Sequence, residues 1–588
     1  MIRQVSFVLI VIAGSARIMA AEQQDVDVDQ AFQKLARTYV DESPALSPSA
    51  ATSLGDHRYD NLLDEVSPAA RQRQRDFYRN YLDRLQSIDR SKLSRDNQVD
   101  YRLLQHSLQG DLWSLETLQE WAWNPIQYTQ LTGGAIYGLM ARDYAPVSQR
   151  LESVAARLEQ YPRLFQQIRE TLEPARVPPI HAETAIKQSR GVLSIVDNMV
   201  RPHLASLPEA KRDRLLKAIA TTTAEVERHQ KWLENDLLPK AKGDARLGPA
   251  LYDQKLGFTL GTSLTRTEIR ERAEFEIRRV RTEMYAIARG LQPEAKWPET
   301  PTPEQQQQAI LASLEKAYAD VPPRDGVVPA ARESLKIVTE FVRKQDLVTI
   351  PDDPLEIIEM PEFQRGVSVA YCDSPGPLEV GQKTFYAVAP LPTDWTDAQC
   401  QSFLREYNIR SIHNLTVHEA TPGHFLQLAH ANRTPNRLRS LLSSGVFVEG
   451  WACYTEQMMS EEGFLDRDPL MRLITLKWYL RVISNSLLDQ SFHVDGIRRE
   501  DAMRLMMQDT FQEEREAAGK WIRAQVTSTQ LSTYFVGYQE HRDLRNAAQT
   551  TWGKDFTLKR YHDGAISFGS PPVRFVKALL LDQPIPAQ

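Results

Sequence analysis

The sequence predicts a mainly α-helical protein with one minor β-sheet. Three observations carry that reading. Apolar residues recur every three or four positions through most of the chain. A single stretch, 346–391, switches to short β-branched and aromatic runs broken by Pro and Gly. The 588 residues are 42% hydrophobic and 25% charged, enough to bury a sizeable core in two or three domains.

The elements follow in order. In residues 1–20, Arg3 precedes an apolar run from Val5 to Ile12, and small residues close the segment at Ala20-Ala21. That is the layout of a secretory signal peptide, with an apolar run of about eight residues where a membrane span needs roughly 20. No Cys stands near the cleavage point, so no lipid anchor is expected there. Removing Arg3 and Arg17 takes the net charge from −6 to −8. The mature protein is expected to be periplasmic or extracellular and to have no membrane span.

Residues 21–245 read as an N-terminal helical region. Phe77, Tyr81, Leu82, Leu85 and Ile88 mark an amphipathic helix within Ala70 to Leu93, and similar patterns fill 146–172 and 206–240. No repeat of 20 to 50 residues is evident. Residues 242–257 look like a junction, and 246–588 like the catalytic region. Thr267 to Arg289 is a long charged helix, and 292–308, with four prolines and four consecutive glutamines, reads as a surface loop. The sheet is expected from Val348-Thr349-Ile350, Val367 to Tyr371 and Thr384 to Val388. Helical spacing then resumes to about residue 550.

Composition excludes several functions. There is no basic excess and no Lys/Arg block of five, so nucleic acid is not an expected partner. No Gly-x-Ser-x-Gly string supports serine-hydrolase chemistry. Of Cys372, Cys400 and Cys453, the pair Cys372–Cys400 is the expected disulfide if one forms.

The chemistry lies in His418-Glu419-Ala420-Thr421-Pro422-Gly423-His424. Ile409, Ile412 and Leu415 carry a helix into His418. A His-Glu pair followed by a second His is the zinc-peptidase pattern: two neutral imidazoles bind the metal, which lowers the pKa of a bound water to about 7, and the adjacent Glu moves the proton. Usually the second His stands at i+4. Here it stands at i+6, roughly 240° around an undistorted helix. Pro422 removes an N–H and Gly423 supplies freedom, so metal binding requires a kink or bulge that returns His424 to the His418 side. The alternative is a plain Pro-Gly helix terminator with two unrelated histidines.

Glu449 and Glu456, seven apart, share one helical face. Glu449 lies among Val446, Phe447, Val448 and Trp451, where a carboxylate is costly unless paired or metal-bound. It is the expected third ligand. Glu456 is the expected acceptor for a ligand imidazole N–H, or else a solvated acid. Cys453, one turn from Glu449, reads as a small buried filler.

The His418-Glu419-Ala420-x-Pro422-Gly423-His424-x-x-Gln427 string, with Glu449-Gly450-Trp451-Ala452, resembles the hallmark of the bacterial domain-of-unknown-function family number eight-eight-five. Similarity extends over most of the chain, including Tyr161-Pro162, Leu260 to Met284, Ala370-Tyr371 through Tyr386, and Tyr534 to Tyr538. That family in turn resembles the gluzincin clan, in its helical oligopeptidase and angiotensin-converting-enzyme-like branch. The resemblance implies two helical halves enclosing a long cleft, the metal helices at its floor, and an edge strand that pairs with extended substrate. It implies one zinc per chain, a short peptide substrate, and a Tyr or His donor to the oxyanion. Tyr534 and His493 are the candidates, ahead of Tyr538. Val526 to Gln530 departs from the Pro-Gly-Gln-type turn expected before the Tyr. Arg481 and Arg523 are of the type that grips a substrate carboxylate or closes a structural ion pair.

The expected function is a zinc metallopeptidase with His418, His424 and Glu449 as ligands and Glu419 as base and then acid. The alternatives are an exported helical binding protein with a structural or vestigial metal site, and a zinc amidohydrolase acting on cell-wall or other amides.

Overall fold

Helices built on the 3.6-residue period make up most of the protein in a computed structural model that describes residues 28–361, 364–365 and 369–587. The segment read as a signal peptide lies outside these residues. The principal N-terminal helices are α1 (Pro68–Gln86), α2 (Arg95–Trp113), α3 (Ile126–Met140), α4 (Val147–Leu158), α5 (Tyr161–Thr171) and α6 (Glu209–Trp232). Leu151, Val154, Leu158, Leu164 and Ile168 are buried from one face of α4 and α5 and meet Leu215, Ile219 and Val226 of α6, so that one hydrophobic core lies within residues 63–241. A second, larger core lies within residues 252–581. Between 241 and 248 the chain is irregular, with Gly243 N–H bonded to the Val177 carbonyl.

The second core begins with α7 (Gly248–Leu260), α8 (Arg266–Leu291), α9 (Pro303–Tyr318) and α10 (Val327–Lys344). The expected loop at 292–308 is shorter than the composition suggests. Thr302 and Gln305 form a capping box with Pro303 at the first helical position, so the glutamine run belongs to α9.

Three strands follow: β1 (Leu355–Glu359), β2 (Ala370–Asp373) and β3 (Thr384–Val388). Their order is β1-β3-β2, with β1 parallel to β3 and β2 antiparallel to it, Cys372 facing Tyr386. The expected strand at Val348-Thr349-Ile350 does not form. Its backbone groups are taken elsewhere: Leu347 O bonds His562 Nδ1, Thr349 N–H donates to Asp563, and Thr349 O bonds His430 Nε2. The first strand is Leu355–Glu359 instead. Of the expected Val367 to Tyr371 strand, the described residues begin at Val369, and Ala370 and Tyr371 lie in β2.

The principal helices after the sheet are α11 (Asp397–Glu406), α12 (Ile409–Glu419), α13 (His424–Ala431), α14 (Gly445–Glu461), α15 (Pro469–Gln490), α16 (Glu514–Val526) and α17 (Ser532–Trp552). Asn408 caps α12 by accepting from the N–H groups of Arg410 and Ser411, both at 3.1 Å. Helices α14 and α17 meet closely because both carry Gly at the crossing. A Cβ on Gly450 would stand 2.3 Å from the Gly537 backbone, and one on Gly537 2.2 Å from Val446 O. That contact sets Tyr534, one turn before Gly537, beside the Glu449 end of α14. No helix among the described residues is long and apolar enough to cross a membrane. All three cysteines are free, so the Cys372–Cys400 pairing is corrected: Cys372 is on β2 and Cys400 is buried on α11.

Candidate metal centre

The i+6 spacing is resolved by breaking the helix. Helix α12 ends at Glu419, Ala420 leaves helical geometry, the Thr421–Pro422 peptide is cis, and α13 restarts at His424. The return is tight: Gly423 N–H bonds Val417 O at 2.9 Å, and a Cβ on Gly423 would lie 2.0 Å from His418 O. Only glycine fits there. Trp451 Nε1 donates to Pro422 O at 2.9 Å, which ties the break to α14. The His418 and His424 rings consequently stand edge to face with centroids 4.7 Å apart.

Glu449 completes the cluster. Its Oε2 lies 3.7 Å from His418 Nε2 and 3.4 Å from His424 Nε2. Donor atoms from the three residues lie within 4.8 Å of one another, a spacing a four-coordinate cation can span. Two imidazoles and one carboxylate match a His/His/Glu zinc donor set with one position left open. On the other side of the ring, His418 Nδ1 donates to Glu456 Oε1 at 2.7 Å, and Glu456 Oε2 accepts from Asn414 Nδ2 at 2.5 Å. Glu456 is 3% exposed, so it is no solvated acid. The Nδ1 of His424 is buried without a hydrogen-bond partner among the described residues. Cys453 forms a second possible group with His418 and Glu456, but that group uses the face of His418 turned away from Glu449 and His424.

The electrostatics ask for a cation. Three carboxylates, Glu419, Glu449 and Glu456, surround two imidazoles. Burial opposes charge on His418, yet Cys453, Glu449 and Glu456 outweigh it and hold its pKa well above the usual value. Burial likewise opposes ionisation of Glu449, but both imidazoles hold its carboxyl well below the usual range. Glu419 behaves differently: burial raises it against the pull of His418 and His424, while the Cys372 backbone N–H stabilises its charged form.

These groups line a cleft of about 720 Å³ together with β2, Tyr534, Arg481 and Arg523. Tyr534 OH accepts from Arg523 Nη2 at 3.0 Å and from Gln530 Nε2 at 3.2 Å. Burial, then the Glu449 charge, raise its pKa, so the phenol stays a donor at neutral pH. The other oxyanion candidate is corrected. His493 does not line the cleft: its Nε2 bonds the Thr527 carbonyl at 2.8 Å, its ring stacks on Tyr252, and burial pushes its pKa down to about 4. Tyr538 packs in the core against Tyr479, with ring centroids 4.4 Å apart. The departure at Val526 to Gln530 has its own solution. Thr529 takes a positive φ of 65°, its N–H donates to Asp489 at 3.2 Å, and the turn delivers Gln530 to the Tyr534 hydroxyl. Sequence reasoning missed Asn414, Gln530 and the Cys372 N–H. Asn414 alone left a signal, standing one turn before His418.

The helical cleft thus brings two buried histidines and the half-buried Glu449 together beside Glu419. The chain matches the family described as bacterial protein of unknown function (DUF885) over residues 48–580, and it belongs to that family. A candidate lipoprotein of unknown function from Shewanella oneidensis is similar in structure, with TM-score 0.78 and 33% identity, covering 94% of this chain and 99% of that one. A candidate lipoprotein from Colwellia psychrerythraea shares the fold at 19% identity, with TM-score 0.74 and the same coverage. No curated protein matches the chain.

Proposed function

We propose that the protein is an exported zinc metallopeptidase that hydrolyses peptide bonds of short peptides, built on the plan of the gluzincin clan. One observation carries the proposal: Glu419 sits on the cleft wall beside His418, His424 and Glu449 without being needed to complete their donor set. A purely structural site has no use for that extra buried carboxylate. The solved relatives being described as lipoproteins supports export.

His418 Nε2, His424 Nε2 and a Glu449 oxygen would hold the ion, with Glu456 fixing the His418 ring through Nδ1. A zinc ion bound there supplies Lewis-acid polarisation and a water of pKa about 7. Glu419, lifted by burial, accepts the proton of the attacking water and returns it to the leaving amine. Tyr534, held by Arg523 and Gln530, donates its O–H to the oxyanion that develops on the scissile carbonyl. The open edge of β2 lines the cleft and offers backbone groups to an extended chain. No covalent enzyme intermediate is needed.

The test is bound metal and cleavage of a mixed peptide library by the mature protein, wild type beside Glu419→Gln. About one zinc in each, with cleavage by wild type alone and a loss of at least about 10²-fold in Glu419→Gln, is the expected result. Metal-free wild type that stays inert after zinc is added would overturn the proposal and favour a binding protein. Zinc without peptide cleavage would direct the search to other amides.

A further inference from the structure

One side of the cleft is built of aromatic rings. Trp395 stands in the segment after β3, Phe403 lies on α11, Tyr407 just beyond its end, and Trp478 on α15. All four line the cleft. They touch in series. Trp395 meets Phe403 edge to face with ring centroids 5.5 Å apart, Phe403 meets Tyr407 at 4.7 Å, and Tyr407 meets Trp478 edge to face at 6.1 Å. Tyr407 and Trp478 are buried, whereas Trp395 and Phe403 keep part of their surface open. This wall begins close to the metal cluster. Trp478 Nε1 donates to Ser411 Oγ at 3.3 Å, and Leu415, one turn further along α12, also lines the cleft. At a rise of 1.5 Å per residue, Leu415 and Ser411 stand about 4.5 and about 10.5 Å back along the helix from His418. An extended peptide advances about 3.3 Å per residue, so its side chains reach the wall within about three residues of the bond being cut.

The surface facing the rings is left bare. Helix α16 presents Arg515, Gly519 and Ile522 at i, i+4 and i+7, one face, and all three line the cleft. The Arg515 guanidinium lies 4.6 Å from the centroid of the Trp395 ring, which places this face of α16 against the start of the aromatic series. Gly519 sits in the interior of α16, where glycine weakens a helix. Packing does not require it there: a Cβ on Gly519 would meet nothing within 4 Å, whereas one on Gly450 or Gly537 would strike backbone. Ile522 is 46% exposed, a large apolar side chain that the protein itself does not cover. Open space between aromatic edges and a helix face without a side chain is costly to keep wet, and an apolar group that fills it releases the water.

We propose that the space between Trp395, Phe403 and Gly519 is a specificity subsite for a bulky apolar side chain, aromatic foremost, carried by the peptide within about three residues of the cut. The inference rests on the peptide reading above and narrows it to substrates with such a side chain, the missing side chain of Gly519 supplying the room.

Hexa-alanine, and the same peptide with one Phe placed at each position in turn, are titrated calorimetrically into zinc-loaded Glu419→Gln protein, and each is incubated with wild type. At least one Phe peptide should bind about tenfold or more tightly than hexa-alanine, as burial of a phenyl ring requires. Its position relative to the cut made by wild type locates the subsite. In protein that also carries Gly519→Leu the preference should fall at least severalfold. The melting temperature should not drop, because leucine favours a helix and the space beside Gly519 is open. Equal binding of all the peptides, or no binding by any, overturns the subsite, and that comparison does not depend on the Gly519 variant folding. A Phe preference that survives Gly519→Leu undiminished overturns it as well. Cleavage of all the peptides at equal rates by wild type would keep the peptidase and remove the subsite. A Phe preference in binding without cleavage would do the reverse.

Discussion

Glu456→Gln changes one atom and breaks a specific arrangement. Glu456 is 3% exposed and uses both oxygens, accepting from His418 Nδ1 at 2.7 Å and from Asn414 Nδ2 at 2.5 Å. A glutamine has one oxygen and one NH₂ in their place. If the oxygen serves His418, the NH₂ meets the Asn414 NH₂. If it serves Asn414, the NH₂ meets the His418 N–H. An Asn414 flip relieves the first of these clashes, because Thr475 Oγ1 can accept while donating to Met471 O at 3.0 Å, but even then His418 exchanges a carboxylate partner for a neutral amide and a charge-assisted hydrogen bond for a weaker one. Loss of such a partner typically weakens metal affinity 10- to 100-fold, or about 1.4 to 2.7 kcal/mol. Competition with a fluorescent zinc chelator measures this directly, with melting temperature as the control for folding. Affinity within about twofold of wild type in a folded Glu456→Gln protein would refute the assigned role of Glu456.

Other outcomes follow from the same geometry. Tyr534→Phe should lower kcat about 10²- to 10³-fold with little change in KM, since only the developing oxyanion loses its donor. An unchanged kcat would remove Tyr534 from the mechanism. Gly537→Ala places a methyl against Val446 O and the Gly450 backbone, so the melting temperature should drop by several degrees, in line with a cost of about 1 to 3 kcal/mol or more. A stable variant would mean that α14 and α17 can part without harm. His57 binds Asp60 through Nδ1 at 3.0 Å and Glu379 through Nε2 at 3.2 Å, joining the N-terminal helices to the loop between β2 and β3. Burial works against its charge, but the two carboxylates raise its pKa to about 9. Its contribution is therefore complete below about pH 6.5 and is lost as pH rises through about 9. Melting temperatures from pH 6.5 to 9.5 should fall more steeply for wild type than for His57→Gln, and parallel curves would refute the clamp.

Much of the fold was legible because helices announce themselves locally. The period in Val147 to Ile168 and the cap residue before Ile409 act over one or two turns, and a single sequence records them. Strand assignment at 348–350 failed for the opposite reason. β-rich side chains do not say where backbone N–H and C=O groups find partners, and there the partners are His562, Asp563 and His430, all remote in sequence. The glutamine run at 305–308 misled through composition, while the capping box beside it carried the better signal.

The sequence by itself determined the donor types and their faces: His418 and His424 around a Pro-Gly break, Glu449 and Glu456 on one side of a helix. Those follow from covalent spacing and the fixed pitch of a helix. Only the tertiary structure decided that Tyr534 and not His493 faces the cleft, and that Arg481, Asn485, Lys520 and Arg523 form one wall. The reason is that periodicity fixes which residues share a face, whereas close approach fixes which faces meet. Here that approach depends on two glycines 87 positions apart in sequence, Gly450 and Gly537, which let α14 and α17 touch backbone to backbone.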